Sequence, residues 1–164
     1  MEDKHQQILE LLEKDSTLQA DQLAVMLDMT LEEVRSDIAA LEKNGTIVGY
    51  KAVVNWDNEP KKNVTALIEV KIAPQQGYGY EKVAERVSRY PQVQSVLLMS
   101  GGFDLAVQVE EKSLDAIAHF VWEKLARTDG VVSTATHFVL KKYKEDGISL
   151  FPEPEDDRVK DILI

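Results

Sequence analysis

Two apolar runs flank the stretch Ser100-Gly101-Gly102-Phe103-Asp104, and this arrangement limits the fold more than any other feature of the chain. The upstream run is Val93 to Met99. The downstream run is Phe103 to Val109, with Leu105, Val107 and Val109 at period two. Paired glycines between such runs predict a β-hairpin, because both can take positive φ and match the twist of the strands. An amphipathic helix is expected on each side. The first carries Tyr80, Val83, Ala84 and Val87 on one stripe and stops before Pro91, which disfavours helix in the residue ahead of it. The second spans about Ser113 to Arg127, with Leu114, Ile117, Ala118, Val121, Trp122 and Leu125 facing inward. Outside the helices lie two more strands. Val64 to Ile72 alternates with Val64, Ala66, Ile68, Val70 and Ile72 on one face, and Val131 to about Lys142 comes last. Pro74 to Gly79 reads as a loop. The order β-α-β-β-α-β is the ferredoxin-like plan, and the chain is α+β. Right-handed crossovers put both helices on one sheet face. The other face, with Thr65, Leu67, Glu69, Asp104, Ala106 and Gln108, is partly apolar and suited to covering by a second copy.

The first third of the chain has a different period. His5, Ile8, Leu9 and Leu12 predict a helix from about Asp3 to Lys14, and Leu23, Ala24 and Leu27 a short second helix from Ala20 to Leu27. Asp28-Met29-Thr30 forms a turn. Thr30-Leu31-Glu32-Glu33 is a capping box that opens a third helix, which buries Leu31, Val34, Ile38 and Leu41 and stops at Asn44-Gly45. Three short helices with a tight turn before the third read as a helix-turn-helix. Val48 to Val54 is expected as a strand, which would make the module winged. The outward face of the third helix offers Glu32, Arg35, Ser36, Ala39 and Lys43, and Lys51 follows on the strand. These six are the candidate DNA contacts, with Arg35, Ser36, Lys43 and Lys51 donating and Glu32 accepting from a cytosine amino group.

Charge argues the other way. The 164 residues carry a net charge of −10. In residues 1–45 the four bases Lys4, Lys14, Arg35 and Lys43 face eleven acids, a net of −7. Affinity for DNA comes largely from cations on phosphates, so such a module binds weakly unless several linked sites act together.

Other function classes find little support. No run reaches the length of about 18 apolar residues that a membrane span needs. The start, Met1 to His5, lacks the pattern of a signal peptide, and the absence of cysteine agrees with a cytosolic chain without disulfides or thiolate zinc sites. His5, His119 and His137 form no His-x-x-x-His pair. Gly101-Gly102 is followed by a strand and by no lysine, so it is not a phosphate loop. Neither an enzyme nor a cofactor or metal is expected.

The quoted motifs resemble one family. Ser-Gly-Gly-Phe-Asp-Leu at 100–105, Ser-Leu-Asp-Ala-Ile-Ala-His-Phe at 113–120 and Asp-Gly-Val-Val-Ser-Thr-Ala-Thr-His-Phe-Val-Leu at 129–140 are similar to the effector-sensing domain of the Lrp/AsnC transcriptional regulators. The pattern Thr30, Val34, Ile38, Leu41-Glu42, Gly45 and Ile47 is similar to that family's recognition helix. Two departures stand out: Asp37 where the family commonly carries arginine, and Gln19 where a capping Ser or Thr is usual. The resemblance implies a cytoplasmic DNA-binding regulator, a homodimer or larger ring, that senses a small effector such as an amino acid. It places the effector at a contact between dimers, at Ser100, Gly101, Gly102, Phe103, Asp104, Thr134, Thr136 and His137, with the glycine N–H groups toward the carboxylate of an amino acid and Asp104 toward its ammonium. The expected divisions are a helix-turn-helix domain at 1–54, a linker at 55–63, a sensing domain at 64–147 and an acidic tail at 148–164. The rival reading is a small-molecule-binding or interaction protein of the same fold with a weak or vestigial DNA-binding module.

Overall fold

The computed structural model describes residues 4–60, 62–73 and 79–151. The chain divides into two compact units at Val54/Asn55.

The first unit holds α1 (Lys4–Lys14), α2 (Ala20–Leu27) and α3 (Leu31–Lys43). Ile8, Leu12, Leu23, Ala24, Val34 and Leu41 make its core, with Ile38 and Ile47 packed alongside. Their spacing puts one apolar stripe on each helix, and the three stripes converge. The turn between α2 and α3 is made by Asp28 in the left-handed conformation (φ 51°), with the Met29 N–H bonded to the Ala24 carbonyl at 3.0 Å. The Thr30 capping box is present: the Glu33 N–H donates to Thr30 Oγ1 at 3.2 Å, and the Thr30 N–H donates to Glu33 Oε2 at 2.8 Å. At Gln19 the N–H donates to the Gln22 side chain at 2.8 Å, the same reciprocal bond that Glu33 makes to Thr30. Leu31 is half exposed rather than buried, and His5 lies outside the core.

Val48 to Val54 is not a strand. A strand needs a ladder partner for its N–H and C=O groups, and no segment of the described residues pairs with this one. Val48 is 93% exposed. The helix-turn-helix therefore stands without a formed wing.

The second unit opens with a 3₁₀ turn at Trp56–Asn58 and then follows the expected order: β1 (Val64–Ile72), α4 (Tyr80–Ser88), β2 (Val93–Leu98), β3 (Leu105–Glu111), α5 (Leu114–Phe120) and β4 (Val131–Phe138). The sheet is antiparallel, in the order β2-β3-β1-β4. Ala66, Ile68, Val70 and Ile72 of β1 and Leu105, Val107 and Val109 of β3 form one buried face, covered by Val83 and Val87 of α4 and Ile117 and Phe120 of α5. The expected loop at Pro74–Gly79 falls mostly on residues 74–78, outside the described residues.

Four expectations here need correction. The hairpin is not a two-residue Gly-Gly turn. Its strands end at Leu98 and begin again at Leu105, and the Met99 N–H donates to the Asp104 carbonyl at 2.8 Å across the four residues Ser100 to Phe103. Only Gly101 of the two glycines has positive φ, at 140°. The second helix is not one regular α-helix, because α5 passes into a π turn at Val121–Leu125. Ile117, Phe120 and Leu125 form the buried stripe and Leu114, Ala118 and Trp122 face outward, the wider turn changing the phase from Val121 onward. The last strand ends at Phe138 rather than Lys142. Finally, Ile148 is not tail: β6 (Ile148–Ser149) pairs with β5 (Lys144–Glu145) around Asp146-Gly147, both in the left-handed region. Tyr143 stacks on Phe151 at 5.4 Å, and the Asn55 side chain holds the Leu150 carbonyl at 3.1 Å. The expected tail from Pro152 onward lies outside the described residues.

Candidate functional site

Two surfaces carry the residues singled out in the sequence. The first is the outer side of α3. At 100° per residue, Glu32, Ser36, Ala39 and Lys43 line the stripe opposite the buried Val34 and Leu41, and Arg35 borders it; all five are exposed, as is Lys51. The acidity of this module is distributed unevenly around the helix. Glu33 is bound into the capping box, where the Thr30 hydroxyl and then its N–H hold the carboxyl below the usual carboxylate range. Asp37 faces His5 of α1, with Nε2 to Oδ1 at 3.1 Å. Glu42 accepts from the Tyr50 hydroxyl at 3.0 Å, and desolvation together with that carboxylate pushes the Tyr50 pKa up. Three of the four α3 carboxylates are thus turned to the flanks and engaged with other parts of the unit. Glu32 alone among them stays on the outward stripe. These charges are countable in the sequence, but their pairing leaves no signal there, since His5 and Asp37 lie on different helices.

The second surface is the sheet end at the 99–104 turn. Ser100, Gly101 and Gly102 are exposed, while Phe103 and Asp104 are half-buried. Neither turn glycine has a heavy atom within 4 Å of where a Cβ would stand, so the backbone there is open to approach. Asp104 is tied into the sheet: its N–H donates to the Val70 carbonyl at 3.0 Å, and its Oδ2 accepts from the Ile72 N–H at 2.7 Å. The three β4 candidates divide between the faces. Thr134 and Thr136 stand opposite Val70 and Ile68, on the helix-covered face. His137 stands opposite Leu67 on the open face, where its Nε2 lies 3.2 Å from Glu69 Oε1. The fold brings Ser100 to Asp104 together and leaves His137 facing away from both threonines. Missed by the sequence reading is the irregularity at Lys71/Ile72, where Val132 is left without a partner on β1 and 65% exposed close to the end of the sheet.

A family model described as the Lrp/AsnC ligand-binding domain matches residues 65–148, and a model of an HTH domain matches residues 4–53. The chain belongs to the Lrp/AsnC family. Its relatives include YugG of Bacillus subtilis, an uncharacterized HTH-type transcriptional regulator, 42% identical over 157 residues, covering 95% of this chain and 94% of that one. Among solved structures, a transcriptional regulator of Neisseria meningitidis in complex with L-Met shares the fold at TM-score 0.68 and 24% identity, over 88% of this chain and 93% of that one. AsnC of E. coli shares it at TM-score 0.65 and 19% identity, over 88% and 95%. As an Lrp/AsnC protein the chain is a DNA-binding transcriptional regulator with a ligand-binding domain, and not an enzyme. Among the described residues no helix is long and apolar enough to cross a membrane, and no group of three or more His, Asp or Glu side chains could hold a metal ion.

Proposed function

We propose that this regulator reads double-stranded DNA with the outward face of α3 and responds to an amino acid bound at the 99–104 turn, acting in the cytosol as a homodimer or larger ring. The observation that carries the DNA reading is the sorting of charge on α3. Ser36 and Lys43 are presented outward and Arg35 stands at the border of that stripe, while Glu33, Asp37 and Glu42 are engaged with Thr30, His5 and Tyr50. Arg35 is the base reader, Lys43 and Lys51 serve phosphates, and Glu32 accepts from a cytosine. Ala39 leaves room for the helix in the groove. A two-fold assembly fits half-sites about 10 bp or a multiple apart.

At the turn, the exposed N–H groups of Ser100, Gly101 and Gly102 suit a carboxylate, and Phe103 adds an apolar wall. Thr134 and Thr136 supply hydroxyls on one sheet face, and His137 marks the open face where a second copy would pack. The Neisseria relative crystallised with L-Met makes an amino acid a natural first choice. In this reading residues 1–54 are the reading module and 64–147 the sensing module.

The test is fluorescence anisotropy on DNA from upstream of the chain's own coding region, with and without each common amino acid. Arg35→Ala is expected to weaken specific binding about ten- to hundredfold, the worth of a base-reading arginine at about 1–3 kcal/mol. Unchanged binding by that variant removes α3 as the reader. Absence of any specific DNA binding favours the rival reading, for which the net charge of −7 over residues 1–45 is the supporting observation.

A further inference from the structure

The polar group most firmly built into the 99–104 turn is Asp104, and its partners are all backbone. Its carbonyl receives the Met99 N–H at 2.8 Å, its N–H reaches the Val70 carbonyl at 3.0 Å, and its Oδ2 receives the Ile72 N–H at 2.7 Å. The last of these has a topological cause. The β1–β3 ladder ends at Val70 opposite Leu105, because the chain turns away before Asp104. The next inward N–H of β1 on that side, at Ile72, therefore lacks a ladder carbonyl, and Ile72 itself is 6% exposed. A buried N–H without an acceptor is costly, and the carboxylate occupies the place of the absent carbonyl. One residue further, the Ala73 N–H donates to the Gly130 carbonyl at 3.0 Å. Adjacent residues at the end of β1 thus join the hairpin turn to the connection that leads into β4.

We propose that Asp104 is a positioning residue: its carboxylate caps the end of β1 and so fixes the effector turn, instead of pairing with the ammonium of the effector. The inference rests on the turn being the effector site. It separates two roles that differ in what they require. Capping a backbone N–H needs an acceptor oxygen of the right shape, which asparagine also has. Pairing with an ammonium needs the negative charge, which asparagine lacks.

The experiment compares the full-length parent with Asp104→Asn and Asp104→Ala. Amide exchange is followed at Ile72 and across residues 99–104, and calorimetry is run with each of the twenty common amino acids. Asp104→Ala is expected to speed exchange at Ile72 by about tenfold or more, the worth of a hydrogen bond to a charged acceptor, and to lose amino-acid binding. Asp104→Asn is expected to keep an affinity close to the parent and part of the Ile72 protection, a neutral oxygen being the weaker acceptor. The proposal is overturned if Ile72 exchange is unmoved in Asp104→Ala, or if asparagine restores none of that protection. It is equally overturned if asparagine restores part of the protection and still loses affinity as fully as alanine. A parent that binds none of the amino acids sinks the effector reading, while the Ile72 exchange still decides whether Asp104 is the cap.

Discussion

Thr30 and Glu33 show how much one residue pair can set in the reading module. Each side chain satisfies the other's backbone N–H at the start of α3. Thr30→Ala is expected to destabilise the first unit by about 1 kcal/mol, read as a lower urea midpoint with unchanged slope. The pH dependence follows from Glu33, whose folded pKa is depressed by the Thr30 hydroxyl and N–H. Its contribution is complete above the pKa of the unfolded chain and is lost as pH falls through the lower, folded value. Glu33→Gln therefore flattens the acid limb of the stability curve, and an unchanged limb would assign the acid sensitivity elsewhere. This pair was legible because the spacing Thr-x-x-Glu names both partners. The His5–Asp37 contact was not legible, since only the packing of α1 on α3 makes those residues neighbours. Asp104 lies between these cases. Its motif drew attention to the turn, but the bond to Ile72 depends on where the β1–β3 ladder stops.

Among the elements, α5 departs furthest from its sequence pattern. Counting apolar residues at regular helical spacing selects Leu114, Ala118 and Trp122 as inward, whereas Phe120, 2% exposed and edge-on to Tyr90 at 5.5 Å, fills the core. Leu114 and Trp122 are 53% and 69% exposed. A helix with apolar residues on two sides gives no single stripe, and the π turn at Val121–Leu125 shifts the phase between its two halves. Phe120→Ala is expected to cost the second unit about 3–5 kcal/mol, against about 0.5 kcal/mol or less for Trp122→Ala in the isolated chain. Thermal melts of the two variants measure the contrast, and equal losses would restore the regular helix. The strands were easier to read. β1 alternates without interruption and has the expected limits, because a sheet with one covered face imposes period two on it. Asp146-Gly147 is a hairpin signal, but strands of two residues offer no alternation that would make the β5–β6 pair legible.

At the scale of the molecule, the open sheet face has the composition of an interface between copies. Leu67 and Leu97 are 39% and 55% exposed there, beside Ala135 and the His137–Glu69 pair. A dimer through this face predicts that Leu67→Lys shifts the protein toward monomer, read by light scattering at micromolar concentration; a parent already monomeric would remove the prediction. Few outward cations also predict a shallow dependence of DNA affinity on salt, since the slope follows the number of phosphates neutralised. The ferredoxin-like order was legible from the alternation of strand and helix patterns. The missing wing was not, because Val48 to Val54 has the composition of a strand and composition cannot supply a partner.

The central position of β1 has a consequence for how the protein comes to be folded. Ala66 is paired with Val109 on one side and with Phe138 on the other, so the first strand of the sheet to be synthesised waits for both neighbours until late in the chain. Contacts between residues far apart in sequence slow folding, while the short-range contacts of α1 to α3 favour speed. During synthesis the helical module can be complete while β1 still presents Ala66, Ile68 and Val70 unpaired. In stopped-flow refolding this appears as a fast helical phase followed by a slower one reported by the Tyr90–Phe120 core, and the interval between them is when the unfinished sheet is most open to pairing with the wrong strand.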